Sequence, residues 1–303
     1  MFFDWLGALP GASAQGMVWG IMAIGVYLTY RILDVADLTV DGSICTGGAV
    51  CAVLVTSGVN VWVAMLAALI AGLLAGLITG VLHTFMGIPA ILAGILTQLM
   101  LWSVNLKIMG RANVALPIRK YELLLAQIKV VQSILVLLAV VAVLIALLYW
   151  FFGTELGTSL RSTGNNPRMS RAQGINTDWA KILGLMLSNG IVAFAGALLS
   201  QYQGFADINM GRGAIVIGLA AVIIGEAVVS RISTNFAVRL FGVILGGVIY
   251  YFVYQTVIFL GLDADLLKML SALVVAVFLA VPYWKKTYFT NARRGEKRGA
   301  HHA

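Results

Sequence analysis

Residues able to do covalent or redox chemistry are scarce in this 303-residue sequence, and their spacing assembles no reaction centre. Cys45 and Cys51 lie six positions apart in or beside one apolar run, so a helix turns their thiols to different faces. Neither a disulfide framework nor a metal-ligand spacing results, and both are expected as buried thiols. His83 stands alone at the end of an apolar run, and His301 and His302 fall in a polar tail, so no metal is assigned. The sequence has no G-x-x-x-x-G-K phosphate loop, no H-E-x-x-H and no G-x-S-x-G. It is therefore read as a non-enzyme with no cofactor. Glu226 lies deepest in an apolar run, where a carboxylate is a functional suspect. Ser230 and Arg231 follow at helical spacing and would satisfy it structurally.

The chemistry that remains is recognition, and it concentrates in 153–181, GTELGTSLRSTGNNPRMSRAQGINTDWAK. Apolar runs end on either side of it, and it carries Glu155, Arg161, Arg168, Arg171, Asp178 and Lys181, so it must lie in water. Asn166 suits an N-cap, Pro167 the first helical position and Gly174 a left-handed C-terminal cap, which predicts a two-turn helix over 167–173. Met169, Ala172 and Ile175 recur on one side of it, bordered by Arg168 and Arg171: an apolar knob with a basic rim, shaped for a socket on another protein. An ordinary capped turn joining two membrane helices accounts for the same residues.

The elements that position this segment are membrane spans. The composition is 61% hydrophobic and 11% charged, with mean hydropathy +0.96, which places the chain among polytopic membrane proteins. The net charge of +8 sits in connections and in the tail 285–303, so it reads as topology rather than nucleic-acid binding. The opening residues lack a basic stretch and include Asp4, which argues against a cleaved signal peptide. Apolar runs occur at about 16–33, 43–59, 61–84, 89–107, 130–152, 181–201, 213–230, 236–260 and 266–284, giving an all-α protein of about nine transmembrane helices.

With the tail cytoplasmic, Arg231, Arg239 and the 153–181 loop fall inside, and Asp263 and Asp265 fall outside. The N-terminus then lies outside as well. The loop holding Lys107, Arg111, Arg119, Lys120 and Lys129 is the exception, being basic yet extracytoplasmic. Docking of an acidic-rimmed binding protein by Arg111, Arg119 and Lys120 explains it, as does contact with lipid headgroups.

Shifted by 170 positions, the halves at about 16–107 and 181–284 resemble each other: Asp37 falls on Asp207, Gly20 on Gly190, Gly48 on Gly218, Gly72 on Gly242 and Gly76 on Gly246. The topology makes this an inverted repeat within a single permease-like domain, 1–303. LTVDGSICTGG and DINMGRGAIVIG interrupt two spans, and broken helices are tolerated only where protein or a water-filled path covers the backbone. Gly42, Ser43, Gly47, Gly48, Gly211, Gly213 and Gly218 are thus expected beside a translocation path. Gly72, Gly76 and Gly80 form a packing strip. Gln98, Trp102, Asn105, Ser188, Asn189, Gln201, Tyr250, Tyr251, Tyr254 and Gln255 are compatible with path lining, interhelical hydrogen bonds or an interfacial belt.

The run from Gly157 to Lys181 resembles the cytoplasmic loop of membrane subunits in ABC importers of the branched-chain amino acid and ribose type. GIMAIGVYLTYRILDVADLTVDGS and IPAILAGILTQLMLWSVNLKIMGRANV resemble the same family, so the likeness covers most of the chain. DLTVDGS, IPA and NLKIMGRANV look closest to a subgroup assigned to tryptophan or tyrosine. The resemblance implies a bacterial inner-membrane permease paired with a second permease subunit, most simply its own copy. Two separate ATPase subunits bind below and a substrate-binding protein or lipoprotein above. It also implies that Asn165, Asn166, Pro167, Arg168, Met169, Ser170, Arg171, Ala172, Gly174 and Ile175 form the helix seated in an ATPase groove. The chain departs from the ribose-type pattern in showing no additional span before Gln15.

Branched-chain amino acids, sugars and nucleosides are alternative cargoes, since neutral or zwitterionic solutes make similar demands. A secondary transporter is the competing class, but it needs ion ligands inside the membrane, for which only Glu226 is available. An intramembrane enzyme would need a nucleophile or metal constellation that is not found.

Overall fold

A computed structural model describes residues 2–117, 121, 123–229 and 235–259, with scattered helical positions between 269 and 280. Its first helix, α1 (Phe2–Tyr27), runs into a π-helical segment, Leu28–Leu33. There follow α2 (Val40–Thr56), α3 (Val61–Thr84), α4 (Ala90–Met109), the short strand β1 (Asn113–Ala115), α5 (Val130–Phe151), α6 (Glu155–Asn165) and α7 (Pro167–Ala172). The chain continues through α8 (Thr177–Gln203), β2 (Phe205–Asp207), α9 (Ala214–Val229) and α10 (Phe236–Phe259). Six helical stretches are long and apolar enough to cross a bilayer, and α2 and α9 are shorter apolar helices. Apart from those scattered helical positions, the expected span 266–284 lies outside the described residues, as do Asp263, Asp265 and Arg231. The first span differs from expectation at its start. Helix begins at Phe2, not near 16, and Pro10 is accommodated inside it.

Burial sorts these helices. The apolar window of α8 is 78% buried, whereas that of α5, apolar on every side, is only 17% buried. α8 is thus the central post, and α5 shows its circumference to the surroundings, as a helix does in lipid. α3 lies along α8 through its glycine strip: a Cβ at Gly72 or Gly76 would run into the backbone carbonyl of Asn189 or Leu185. α10 lies along α1 in the same way, with Gly247 against Gly16 and Gly20. The first helix of each half is therefore clasped by the third helix of the other half.

α1 and α8 run antiparallel, since the Tyr202 hydroxyl donates to Gly11 O (3.2 Å) and the Ser188 hydroxyl to Gly25 O (2.7 Å). The stretches Gly7–Leu33 and Thr177–Gln203, both 27 residues, keep the offset of the repeat, Gly7 falling on Thr177 and Leu33 on Gln203. Beyond the break the offset grows. Val61–Thr84 and Phe236–Phe259, both 24 residues, place Val61 on Phe236, so Gly72 corresponds to Gly247 and not to Gly242. Four of the five extra residues lie in the longer connection between α8 and α9. Gly242 and Gly246 serve a different contact, packing on Val229 and Ala221 of α9.

Candidate functional site

α2 and α9 both begin inside the bundle. After the π-helical segment, Asp34 turns the chain with φ 55°, the one positive-φ non-glycine among the described residues. The irregular backbone of 34–39 is then covered by α4, where a Cβ on Gly94 would meet Leu38 N. Asp37 organises this break. Its carboxylate accepts from Thr39 N (2.9 Å) and from Asn189 Nδ2 of α8 (2.7 Å), while Asn189 Oδ1 accepts the Ser43 hydroxyl (2.6 Å). A chain of hydroxyls, Thr39 to Thr79 (2.8 Å) and Thr79 to Thr97 (3.0 Å), extends the network to α3 and α4. Asp207 makes the same local turn in the second half, accepting from Asn209 N (2.8 Å). The start of α9 is pinned by the first half, because Asp41 accepts from Gly213 N (3.0 Å) and Ile215 N (2.9 Å). A carboxylate on free helix-start N–H groups satisfies donors that have no intrahelical partner.

The seven residues expected beside a path are placed by this meeting of helix starts. Gly42, Ser43, Gly47, Gly48, Gly211 and Gly218 are buried, and Gly213 is exposed with φ 83°. Gly47 packs on the backbone of Ala193 and Gly211 on that of Asp41, so these glycines set how closely the broken helices approach their neighbours. Among the polar residues of the spans, Asn105 and Gln201 are buried. Gln201 Oε1 accepts from Leu124 N (3.2 Å), and Trp102 is exposed. Glu226 pairs with Arg31 of the π-helical segment, Nε to Oε1 2.9 Å, and Ser230 and Arg231 lie outside the described residues. Cys45 and Cys51 are free and buried, and His83 Nδ1 lies 2.9 Å from Ile88 O.

At one end of the bundle α6 and α7 form a helix pair between α5 and α8. The Thr154 side chain caps α6 by accepting from Gly157 N (3.4 Å), and a Cβ on Gly164 would strike Ile32 O, so α6 lies directly on the π-helical segment. Asn166 ends α6 and begins α7, its Oδ1 accepting from Met169 N (3.1 Å), with Pro167 at the first helical turn. Ser170 faces inward, its hydroxyl donating to Asn166 O (3.0 Å). Gly174 takes φ 83°, and Ile175 N closes on Ser170 O (3.0 Å). Arg171 braces α7 against the start of α8, Nε donating to Thr177 Oγ1 (2.6 Å) and Nη2 to Asp178 Oδ1 (2.8 Å).

The exposed surface runs over 165–169 and 171–174, with Met169 59% exposed and Ile175 partly buried. Sequence reasoning missed α6 altogether. It also missed Trp179, which is 53% exposed one turn from the helix pair. The signals for α6 were a Thr154 cap and Leu156 and Leu160 one turn apart. A polar Ser/Thr/Gly-rich composition masked them.

The opposite end carries the basic loop. α8 runs from α7 to β2 over 27 residues, about 40 Å. β2 pairs antiparallel with β1, Val114 opposite Ala206. Arg111 is exposed beside this ribbon, as are Lys107 and Lys129, whereas Arg119 and Lys120 lie outside the described residues.

A helical bundle spanning a membrane, with two broken helices meeting inside it and a capped helix pair projecting from one end, defines a transport subunit. The chain belongs to the family of the permease component of branched-chain amino acid transport systems, whose sequence pattern matches residues 10–281. It is 41% identical over 275 residues to a tyrosine transport system permease protein of Clostridioides difficile, covering 91% of each chain. An uncharacterised Rickettsia prowazekii protein is 32% identical over 89% of this chain and 95% of its own. An autoinducer 2 import system permease of Salmonella is 29% identical over 71% of this chain and 61% of its own. Among solved structures, PsaBC from Streptococcus pneumoniae in complex with Fab has a similar fold, with TM-score 0.53, 16% identity, and 96% of this chain and 100% of that one covered. The protein is a multi-pass membrane permease component of ABC type.

Proposed function

We propose that this permease is the path-forming subunit of an ATP-driven importer in a bacterial cytoplasmic membrane, and that its cargo is an aromatic amino acid. The observation carrying the importer reading is α7: a helix too short to hold itself, capped at both ends and braced by Arg171, yet presenting Met169 and Ala172 outward with none of the described residues covering them. Order without self-burial suits a socket in a partner, here an ATPase subunit that drives the permease through α6 and α8.

Arg31, Arg161, Arg168, Arg171 and Arg239 all lie at that end, so we assign it to the cytoplasm, with the N-terminus outside and the C-terminus inside. The ribbon end then faces a substrate-binding protein or lipoprotein, which Arg111, Arg119 and Lys120 help to dock. A second permease subunit, most simply a copy of this chain, closes the path. The helix starts near 42–48 and 211–218 border it, with their glycines setting the approach of the helices.

The aromatic cargo is supported by the name of the 41% identical relative and by the scarcity of fixed charge in the spans. A path without fixed cations suits a zwitterion delivered by a high-affinity binding protein and disfavours an anion. Uptake by the complete assembly with labelled tryptophan, tyrosine, leucine and ribose tests it. Tyrosine or tryptophan uptake requiring ATP is expected. Leucine or ribose uptake without aromatic uptake overturns the cargo, and uptake by the permease alone overturns the importer.

A further inference from the structure

A cleft of about 610 Å³ opens where the π-helical segment, α6 and α10 meet, beside the coupling pair; Asn165 lines it, whereas Met169 and Ala172 do not. Three arginines line it, one from each element: Arg31, Arg161 and Arg239. Arg31 is neutralised by Glu226 at 2.9 Å. Arg239 hydrogen-bonds the Tyr27 hydroxyl, and the Arg161 guanidinium lies over the rings of Phe236 (4.4 Å to centroid) and Phe152 (5.1 Å). Neither Arg161 nor Arg239 has an ion-pair partner among the described residues. Asp34 also lines the rim, so the arginines outnumber the carboxylates by one.

Aromatic contacts orient Arg161 while leaving its donors open, a geometry that favours planar, bidentate recognition of an oxyanion. The lining is also amphipathic. Tyr27 and Phe236 belong to the apolar helices α1 and α10 at the ends nearest the charged helix pair, and Tyr30 is 46% exposed at the mouth. Basic groups above aromatic rings at helix ends are found at the depth where hydrocarbon gives way to headgroups.

We propose that this cleft binds the phosphate of an acidic phospholipid headgroup, with Arg161 and Arg239 as its ligands and the aromatic floor against the glycerol. A soluble phosphate ester offers the same oxyanion but lacks the acyl chains that lead from that floor into the hydrocarbon. A bound headgroup links α6 to α10 and α1, so it stiffens the joint through which α7 acts.

Native mass spectrometry of the full chain, loaded with equal phosphatidylglycerol and phosphatidylcholine, reads the site without any reference to transport. The wild type is expected to retain phosphatidylglycerol about tenfold over phosphatidylcholine, and Arg161→Gln with Arg239→Gln to fall near parity at an unchanged thermal midpoint. Arg161→Lys, which keeps the charge but loses the planar fork, should retain only part of the preference at an unchanged thermal midpoint and so separates recognition from folding. Equal selectivity in the wild type and the double Gln variant overturns the site. If sn-glycerol 3-phosphate at the same concentration displaces phosphatidylglycerol fully, the cleft serves a soluble phosphate and the lipid assignment falls.

Discussion

Asn189, midway along α8, donates its amide to the buried Asp37 carboxylate at 2.7 Å, joining residues 152 positions apart across the two halves. Its carbonyl oxygen also takes the Ser43 hydroxyl, so one side chain holds both the break before α2 and the helix that follows it. Replacing Asn189 with Ala leaves a carboxylate oxygen and a hydroxyl buried without partners. The expected cost is about 2–4 kcal/mol. A lowered thermal midpoint of the detergent-purified chain checks it, and an unchanged midpoint would show that the network adds nothing to the fold.

Gly47 and Gly7 are expected to respond in opposite directions to the same added methyl. A Cβ on Gly47 collides with the Ala193 carbonyl of the adjacent helix, a contact between backbones that no rotamer change relieves, whereas Gly7 has open space around it. Gly47→Ala should cost about 4 kcal/mol or more and reduce the yield of monodisperse protein. Gly7→Ala should be neutral or stabilising by up to about 1 kcal/mol.

Asn166→Ala should remove the cap of α7 at a cost of about 1 kcal/mol, while Asn166→Asp keeps it. Amide exchange over 169–173 is the measurement. About fivefold faster exchange in the Ala variant alone is expected, and equal protection in both would show that Arg171 and the Gly174 turn suffice.

Punctuation of this kind was legible in the sequence because it is local: Asn166, Pro167 and Gly174 announce α7 through their own backbone preferences. The offset linking Asp37 with Asp207 was legible for the same reason, since each forms its own turn. What escaped depends on partners far along the chain. α6 is fixed by Gly164 lying on Ile32, and Glu226 pairs with Arg31, almost 200 positions away, in the π-helical segment. The glycine correspondence failed beyond the break, because the longer connection before α9 moves the register. Residue matching among apolar spans cannot detect that change. The burial of Gly42 and Gly47 was likewise hidden, because glycine suits both a path wall and a tight helix contact.

Neutralising Arg111, Arg119 and Lys120 together should slow association of an acidic-rimmed binding protein by roughly tenfold or more at low salt and much less at high salt. Stopped-flow or surface-binding rates check this. An association rate that does not change at low salt assigns the loop to lipid headgroups instead.

The socket for α7 is tested most directly by Ala172→Asp in the complete reconstituted assembly, reading ATP hydrolysis stimulated by the loaded binding protein. Ala172 is exposed and makes no contact that holds the fold, so the permease should insert and melt as the wild type does. A charge placed in an apolar socket should abolish the stimulated hydrolysis. Stimulation at the wild-type level in this variant would contradict the assignment of α7 as the element that meets the ATPase.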